Sequence, residues 1–502
     1  MTALLRLEAV NLAHTIDDTE DLATRRGGGY MLLRAVHMVA ERFNGDLAPI
    51  STGASIGLFA ILDGHDAQAL RDKVAHYLSE VSPFRHATFV VAIADDADFP
   101  RGVERCVAGN RWQQMQSLGF ATRWGTATAI CATDEIRPAA SLRRHAGQAA
   151  SLSVVARARG RDGGRNLRQS FYATELKLAP DTAARYRFTD DFETLAAFPP
   201  DDSDYAGLSP NLDAKIAVFY ADGNSFGAIQ RACATPQALD AWDTEIKQRR
   251  RQLLQGLLDW LDATPQARTA DGALRLETLL WGGDELLFVL PAWLGLEFAR
   301  RFFALSADWA HGGHALTHAA GLVFAHRGAP IRHLQHLAKG LAQRAKDDGD
   351  KHRNTLAWVV LESFDTTGDE LDTHWQLSGI PGDGWRTLRL DEPRLDILAR
   401  IEAIKPLLPR SALIRSLRSL AAGSGSADLE LLKNAYASTH EALDDAGRAT
   451  LARFWQAFEA NWQAQPSEPP TADAAPLTAL LTLWDYLLPP APMPDTAEAQ
   501  HA

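Results

Sequence analysis

Two short stretches of this chain carry carboxylates that could work together. The first, Tyr220-Ala221-Asp222-Gly223-Asn224, ends the run Lys215–Tyr220 (KIAVFY). That run has the β-branched and aromatic make-up of a buried strand, and a strand ending in Asp-Gly pushes its carboxylate over the sheet edge. The second, Gly282-Gly283-Asp284-Glu285, separates the apolar runs Leu274–Trp281 and Leu286–Leu290, and a glycine pair there reads as a tight hairpin turn. If strand and hairpin are neighbours in one sheet, Asp222, Asp284 and Glu285 meet and repel unless cations neutralise them. Hard oxygen donors suit Mg2+ or Mn2+, and two such ions about 3.5–4 Å apart activate a hydroxyl and stabilise the leaving oxygens of an in-line displacement. Either motif alone is commonly just a polar turn; their presence together in one unit is what points to chemistry.

A phosphate-bearing substrate would need cations. The helix expected over Pro330–Lys346 ends in Arg344-Ala345-Lys346, and the loop DDGDKHR follows. Lys346, Lys351 and Arg353 form a cationic cluster suited to the β- and γ-phosphates of a nucleoside triphosphate. The plainer reading is a basic helix end favoured by the dipole. Ser225 and Gly227 follow the first acid, and Gly227 leaves room for a base or ribose.

The elements that must position these groups are legible from periodicity. Residues 211–363 read as strand Lys215–Tyr220, helix within Ala234–Leu261, strand Leu274–Trp281, a strand to Leu290, helix Trp293–Trp309, strand Ala315–Ala325, helix Pro330–Lys346 and strand Thr355–Leu361. The order β-α-β-β-α-β, with a further helix and strand, predicts a ferredoxin-like antiparallel sheet with its helices on one side. Residues 1–130 read as β-α-β-α-β: strands Leu4–Val10, Ile56–Leu62 and His86–Ala94, and helices Tyr30–Phe43 and Asp66–Val81. Between Arg143 and Arg168 lie seven arginines around GRDGG, either a solvated loop or a contact with a nucleic-acid or phosphate-bearing partner. Phe198–Asp204 (FPPDDSD) reads as a linker. Leu395–Ile404, Ser411–Ala421, Ala427–Asn461 and Leu477–Leu488 have helical spacing and predict a C-terminal bundle.

Composition sets the outer limits. A chain of 502 residues holds about three domains. Its 51 Lys and Arg against 63 Asp and Glu give a net charge of −12, which argues against a surface that grips nucleic acid throughout but leaves room for a local basic groove. Three cysteines, Cys106, Cys131 and Cys233, make neither a disulfide framework nor a CxxC zinc site. The longest apolar run, Leu286–Leu296, has 11 residues and a proline, against about 20 for a membrane span. No membrane association is expected, and the composition places the chain in a reducing cytoplasm.

The block YADGNSFG … LLWGGDELLFVLP … LTHAAGLVFAHRGAPIRHLQHLAKGLAQRAKDDGDKHRNTLAW resembles the catalytic Palm of the large polymerase-cyclase subunit of type III CRISPR effector complexes. That Palm is itself similar to GGDEF and nucleotide cyclase folds. HTIDDTEDLATRRGGGYMLL resembles the start of that subunit's first, non-catalytic Palm. The resemblance implies an α+β chain with two ferredoxin-like Palm domains, a linker domain and a C-terminal helical bundle. Its divisions are a first Palm-like domain at 1–130, a linker or basic insertion domain at 131–205, a catalytic Palm at 206–365, a helical domain at 366–488 and a flexible tail at 489–502.

The resemblance further implies conversion of ATP into cyclic oligoadenylate messengers, with guide RNA, target RNA and other CRISPR effector subunits as partners. By motif match, Asp222, Asp284 and the Gly223 carbonyl would hold metal, and Glu285 would stand where many members have a second Asp. Lys346, with Lys351 behind it, would meet the triphosphate; Gly223, Asn224, Ser225, Gly227 and Gly283 would line the nucleotide site. Three departures stand out. The tetrad is Gly-Gly-Asp-Glu rather than Gly-Gly-Asp-Asp. The Palm-like sequence begins almost at Met1, so the HD nuclease domain of many members, and its DNase activity, is not expected. The isolated His65-Asp66 reads as loop and helix cap. Linker-domain zinc cysteines are absent. Nucleotidyl transfer is therefore the expected chemistry, with a stand-alone cyclase making another product, or an inactive scaffold subunit, as the competing readings.

Overall fold

Strands alternating with amphipathic helices build two sheets of like connectivity. The computed structural model describes residues 3–487 apart from 82, 96, 117–128, 141–143, 160, 163–164, 180–181, 183–185, 199–207, 348–350, 362–397, 399, 408–442 and 464–481. In the N-terminal part, β1 (Leu4–Val10), β2 (Leu47–Gly53), β3 (Ile56–Ile61) and β4 (Thr88–Ala94) form a sheet in the order β2-β3-β1-β4. All its pairings are antiparallel. Helix α1 (Leu22–Arg42) joins β1 to β2, α2 (Ala67–Glu80) joins β3 to β4, and α3 (Phe99–Gln116) packs back on β4 and β1. The sequence reading omitted β2 and so lacked one strand. Pro49 disguises it: β2 lies at the sheet edge, where a proline removes no needed ladder bond, and the register shifts between Pro49 and Ser51. Asp66 caps α2, accepting from the amides of Gln68 at 2.9 Å and Ala69 at 3.1 Å.

The middle part contains α4 (Leu152–Arg159), α5 (Leu167–Glu175) and two-residue strand pairs at Arg144–His145 with Gln148–Ala149 and Arg161–Asp162 with Arg165–Asn166. Two of its arginines fit neither expectation for the basic stretch. Arg157 is fully buried and donates to both carboxylate oxygens of Asp18, at 2.7 and 2.8 Å. Arg168, also buried, pairs with Glu277 at 3.3 Å and donates to the Thr189 carbonyl. A buried guanidinium is tolerated only with such partners, so both are internal clamps. Gly27 allows the α1–α4 approach: a Cβ there would lie 1.9 Å from the Arg157 carbonyl oxygen.

The second sheet contains β5 (Lys215–Gly223), β6 (Glu277–Trp281), β7 (Glu285–Pro291), β8 (His318–His326) and β9 (Thr355–Val360), in the order β6-β7-β5-β8-β9. Its first four strands repeat the β-α-β-β-α-β connectivity of the N-terminal sheet, and β9 adds in parallel to β8. The connecting helices are α6 (Phe226–Ala232), α7 (Pro236–Ala263), α8 (Gly295–Ser306) and α9 (Ile331–Asp347). One-sided helices were expected, but the sheet is covered on both faces. Phe219 packs on Phe298 and Phe302 of α8, at ring separations of 5.4 and 5.0 Å. On the opposite face, α9 lies so close to β8 that a Cβ at Gly321 would sit 2.0 Å from the Ala338 carbonyl oxygen. Two-sided cover explains why Ile216–Ala221 are all buried, an unbroken apolar run instead of an alternating one.

One apolar core runs through both sheets. Charge and hydroxyl contacts tie α1 to the edge strand β6: Arg26 Nε donates to Glu277 at 2.8 Å and Tyr30 donates to the Thr278 carbonyl at 3.0 Å. Towards the C-terminus, α10 (Asp445–Gln463) buries Leu451 and Phe454, and Tyr486 packs on Phe324 with ring centroids 4.2 Å apart. The expected helix Ser411–Ala421, the first part of Ala427–Asn461, most of Phe198–Asp204 and the tail lie outside the described residues. Among the described residues no helix is long and apolar enough to cross a membrane.

Candidate active site

Register brings the acids together. Asp222 on β5 and Glu285 on β7 are direct cross-strand partners, and the Gly223 amide donates to the Asp284 carbonyl at 3.1 Å. The hairpin closes through Gly282 N–H to Glu285 O at 2.7 Å, so its two-residue loop is Gly283-Asp284, with Gly282 in the closing pair. A Cβ at Gly282 would come within 2.9 Å of the Glu285 carbonyl oxygen, whereas one at Gly283 would meet nothing within 4 Å. The side-chain period of two places Tyr220, Asp222 and Glu285 on the face covered by α9.

Two lysines of α9, seven residues apart, reach these acids. Lys346 Nζ lies 2.9 Å from Asp222 Oδ2 and donates to the Gly223 carbonyl at 3.1 Å. Lys339 Nζ lies 3.8 Å from Glu285 Oε2 and 5.3 Å from the Tyr220 ring centroid. Burial and then the adjacent Asp222 and Glu285 push the Asp284 carboxyl up to about 6, despite the opposing pull of Lys346. Burial, with the Glu285 and Asp222 carboxylates, holds the Tyr220 phenol far above its ordinary range.

Among the described residues no group of three or more His, Cys, Asp or Glu side chains converges as a metal cluster. The donors at the strand ends are nonetheless of the hard type: two carboxylates and a main-chain carbonyl. Two of them already hold a cationic ammonium, and Asp284 is still short of positive charge. That donor set fits a divalent cation at Asp222, Asp284 and the Gly223 carbonyl. Glu285 faces Lys339.

The other sequence candidates are placed as follows. Gly223 lies against Phe226, where a Cβ would come within 2.5 Å of the ring. Asn224 is buried: its amide donates to the Thr317 carbonyl at 2.8 Å and its Nδ2 to Thr317 Oγ1 at 2.9 Å, while its Oδ1 has no partner among the described residues. It therefore braces the strand end. Ser225, exposed and with φ of 65°, starts α6 without a side-chain cap. Gly227 has moderate room, its added Cβ meeting Arg231 at 3.4 Å. Lys351 is exposed, and its carbonyl accepts from Thr317 Oγ1 at 2.8 Å.

Sequence reasoning missed Arg250, Trp281, Glu175 and His318. Arg250 sits at an otherwise apolar position of α7, in step with Ile246, Leu253, Leu254 and Leu257; a charge on the buried stripe was the available signal. His318, beside Gly223 in the register, is enclosed by Phe226, Phe302 and Trp309, and burial with nearby Lys346 takes its pKa down to about 3. The first sheet offers a direct comparison. There the Ala9 amide donates to the Ser55 carbonyl at 2.9 Å, and Glu8 is the register partner of Ile56. Connectivity and register thus equate Glu8 with Asp222, Ser55 with Asp284 and Ile56 with Glu285.

No family model matches the sequence, and no curated protein does either. Solved structures do match in fold. The chain is similar to the Csm1-Csm4 cassette in its apo form, with a TM-score of 0.50, 12% identity and coverage of 97% of this chain and 70% of that one. It is equally similar to Csm1 of T.onnurineus, with a TM-score of 0.50, 13% identity and coverage of 97% and 69%. At such identity the likeness is one of fold.

Proposed function

We propose that this chain is a metal-dependent nucleotidyltransferase that joins ATP into cyclic oligoadenylates as a subunit of an RNA-guided CRISPR complex. The observation that carries this reading is the placing of Asp222, Asp284 and the Gly223 carbonyl at the adjoining ends of β5 and β7, with the Lys346 ammonium on Asp222 and on that carbonyl and the Asp222 charge acting on Asp284. The Csm1 fold likeness, over 97% of the chain, supports it. The sheet that carries the acids is the catalytic Palm of residues 206–365, and the N-terminal sheet is its non-catalytic counterpart.

In the reaction, the 3′- or 2′-hydroxyl oxygen of one nucleotide bonds to the α-phosphorus of another, the bond to the bridging oxygen breaks, pyrophosphate departs and the hydroxyl proton passes to water. Asp222, Asp284 and the Gly223 carbonyl would hold the divalent cations, with Glu285 adding charge beside them. When bound, such ions neutralise the attacking and leaving oxygens. Lys346 moves its ammonium from Asp222 to the triphosphate, and open space above Gly283 admits the nucleotide. The rest of the catalysis is alignment of hydroxyl and phosphorus by the rigid strand ends. Ring closure repeats the same step within one oligomer. Guide RNA, target RNA and a Csm4-like neighbour are the partners this reading supplies.

The test is a mixture of the four NTPs with Mn2+ or Mg2+, resolved by chromatography and mass spectrometry, with the chain alone and in its complex. Cyclic oligoadenylates and pyrophosphate are expected, and Asp284→Ala should abolish both. Turnover unchanged in Asp284→Ala would sink the assignment.

A further inference from the structure

The two carbonyls that precede Asp284 face a single guanidinium. Arg250 on α7 is only 3% exposed. Its Nη1 donates to the Gly282 carbonyl oxygen and stands 3.5 Å from that of Gly283. Its Nη2 lies 3.4 Å from Glu175 Oε2, and the guanidinium sits 5.0 Å above the Trp281 ring. Glu175 also accepts from Trp281 Nε1 at 2.8 Å, and its carbonyl accepts from Arg251 Nε at 2.9 Å.

These contacts enclose the hairpin from behind. Glycines at 282 and 283 have no side chains with which to fix their own peptide planes, so something else must hold them. A leucine at position 250 would continue the apolar stripe at lower cost, because a buried guanidinium destabilises unless its donors are used. Nη1 is spent on the turn and Nη2 on Glu175, which fixes the guanidinium from α5 while locking Trp281, the residue that leads into the turn; Nε has no partner among the described residues.

We propose that Arg250 is a positioning residue for nucleotidyl transfer. It pins the Gly282 and Gly283 carbonyls so that Asp284 keeps its place beside Asp222, and Glu175 orients Arg250. The effect on rate rests on the function proposed above; the effect on the turn does not.

Arg250→Met, Arg250→Lys and Glu175→Gln in the full chain separate the two. Backbone hydrogen exchange over residues 279–286 should quicken about tenfold in Arg250→Met while residues 215–221 stay unchanged. With ATP and Mn2+, kcat should fall about 100-fold, as for a misplaced catalytic group, with KM within about threefold. Arg250→Lys should recover part of the loss, and Glu175→Gln should show a smaller loss of the same kind. Unchanged exchange over 279–286, or kcat within twofold of wild type, overturns the proposal. If Arg250→Met unfolds, exchange and kcat in Arg250→Lys and Glu175→Gln decide by the same criteria. Local quickening in a chain whose wild type turns over no NTP either alone or in its complex supports the clamp and overturns the nucleotidyl-transfer reading instead.

Discussion

Lys346 is ion-paired to Asp222, with Nζ 2.9 Å from Oδ2, and the same ammonium takes the Gly223 carbonyl. Metal and lysine therefore compete for two of the same oxygens. Lys346→Met removes that competitor together with the triphosphate contact. Titration calorimetry without nucleotide should give Mn2+ binding tighter by about 3–10-fold, the reverse of what loss of an attractive contact produces, while ATP turnover falls by about 100-fold or more. Weaker Mn2+ binding would count against the shared-oxygen picture.

Asp284 makes stability depend on pH. Its folded pKa of about 6 lies above its ordinary 3.8. Between those values the folded chain keeps a proton that the unfolded chain has released, so stability falls as pH rises from about 4 to about 6 and stays reduced above. With chelator present, Asp284→Asn should be more stable than wild type at pH 7.5 by up to about 3 kcal/mol, and equal to it near pH 3.5. Denaturant unfolding at the two pH values reads this directly, and saturating Mn2+ should close the gap at pH 7.5.

A methyl group at residue 223 has no space, since it would press within 2.5 Å of the Phe226 ring. Gly223→Ala should cost about 1–3 kcal/mol by overpacking, and Phe226→Leu in that background should return part of it. Additive losses in the double-mutant cycle would show that the two positions do not press on each other.

Arg157, fully buried on both oxygens of Asp18, is a structural member of a stretch that reads as basic surface. Arg157→Ala should destabilise by about 3–5 kcal/mol, the usual cost of stranding a buried partner. Urea unfolding gives the number. Unchanged stability with weakened RNA binding would instead mark Arg157 as a nucleic-acid contact.

The strands, the acids and the order of elements were legible because β-branched runs and Asp-Gly or Gly-Gly punctuation act locally. What escaped depends on partners distant in sequence. Pro49 concealed an edge strand because edge position is not a local property. The side taken by α9 is set by its parallel crossover from β8 to β9 and by the missing Cβ of Gly321. Arg157 and Arg168 looked solvated because Asp18 and Glu277 lie 139 and 109 residues away. Arg250 alone left a readable sign, a charge in step with a leucine stripe.

The equivalence of the two hairpins ends at the backbone. Ser55→Asp would put an acid in the N-terminal turn, but would not reproduce the arrangement around Asp222 and Asp284. Glu8 is engaged by Arg6 and Arg111, the latter at 3.2 Å, and lies buried where Asp222 is part-open. The two sheets thus share a frame but not the side chains at its turn, and no single substitution carries one arrangement into the other.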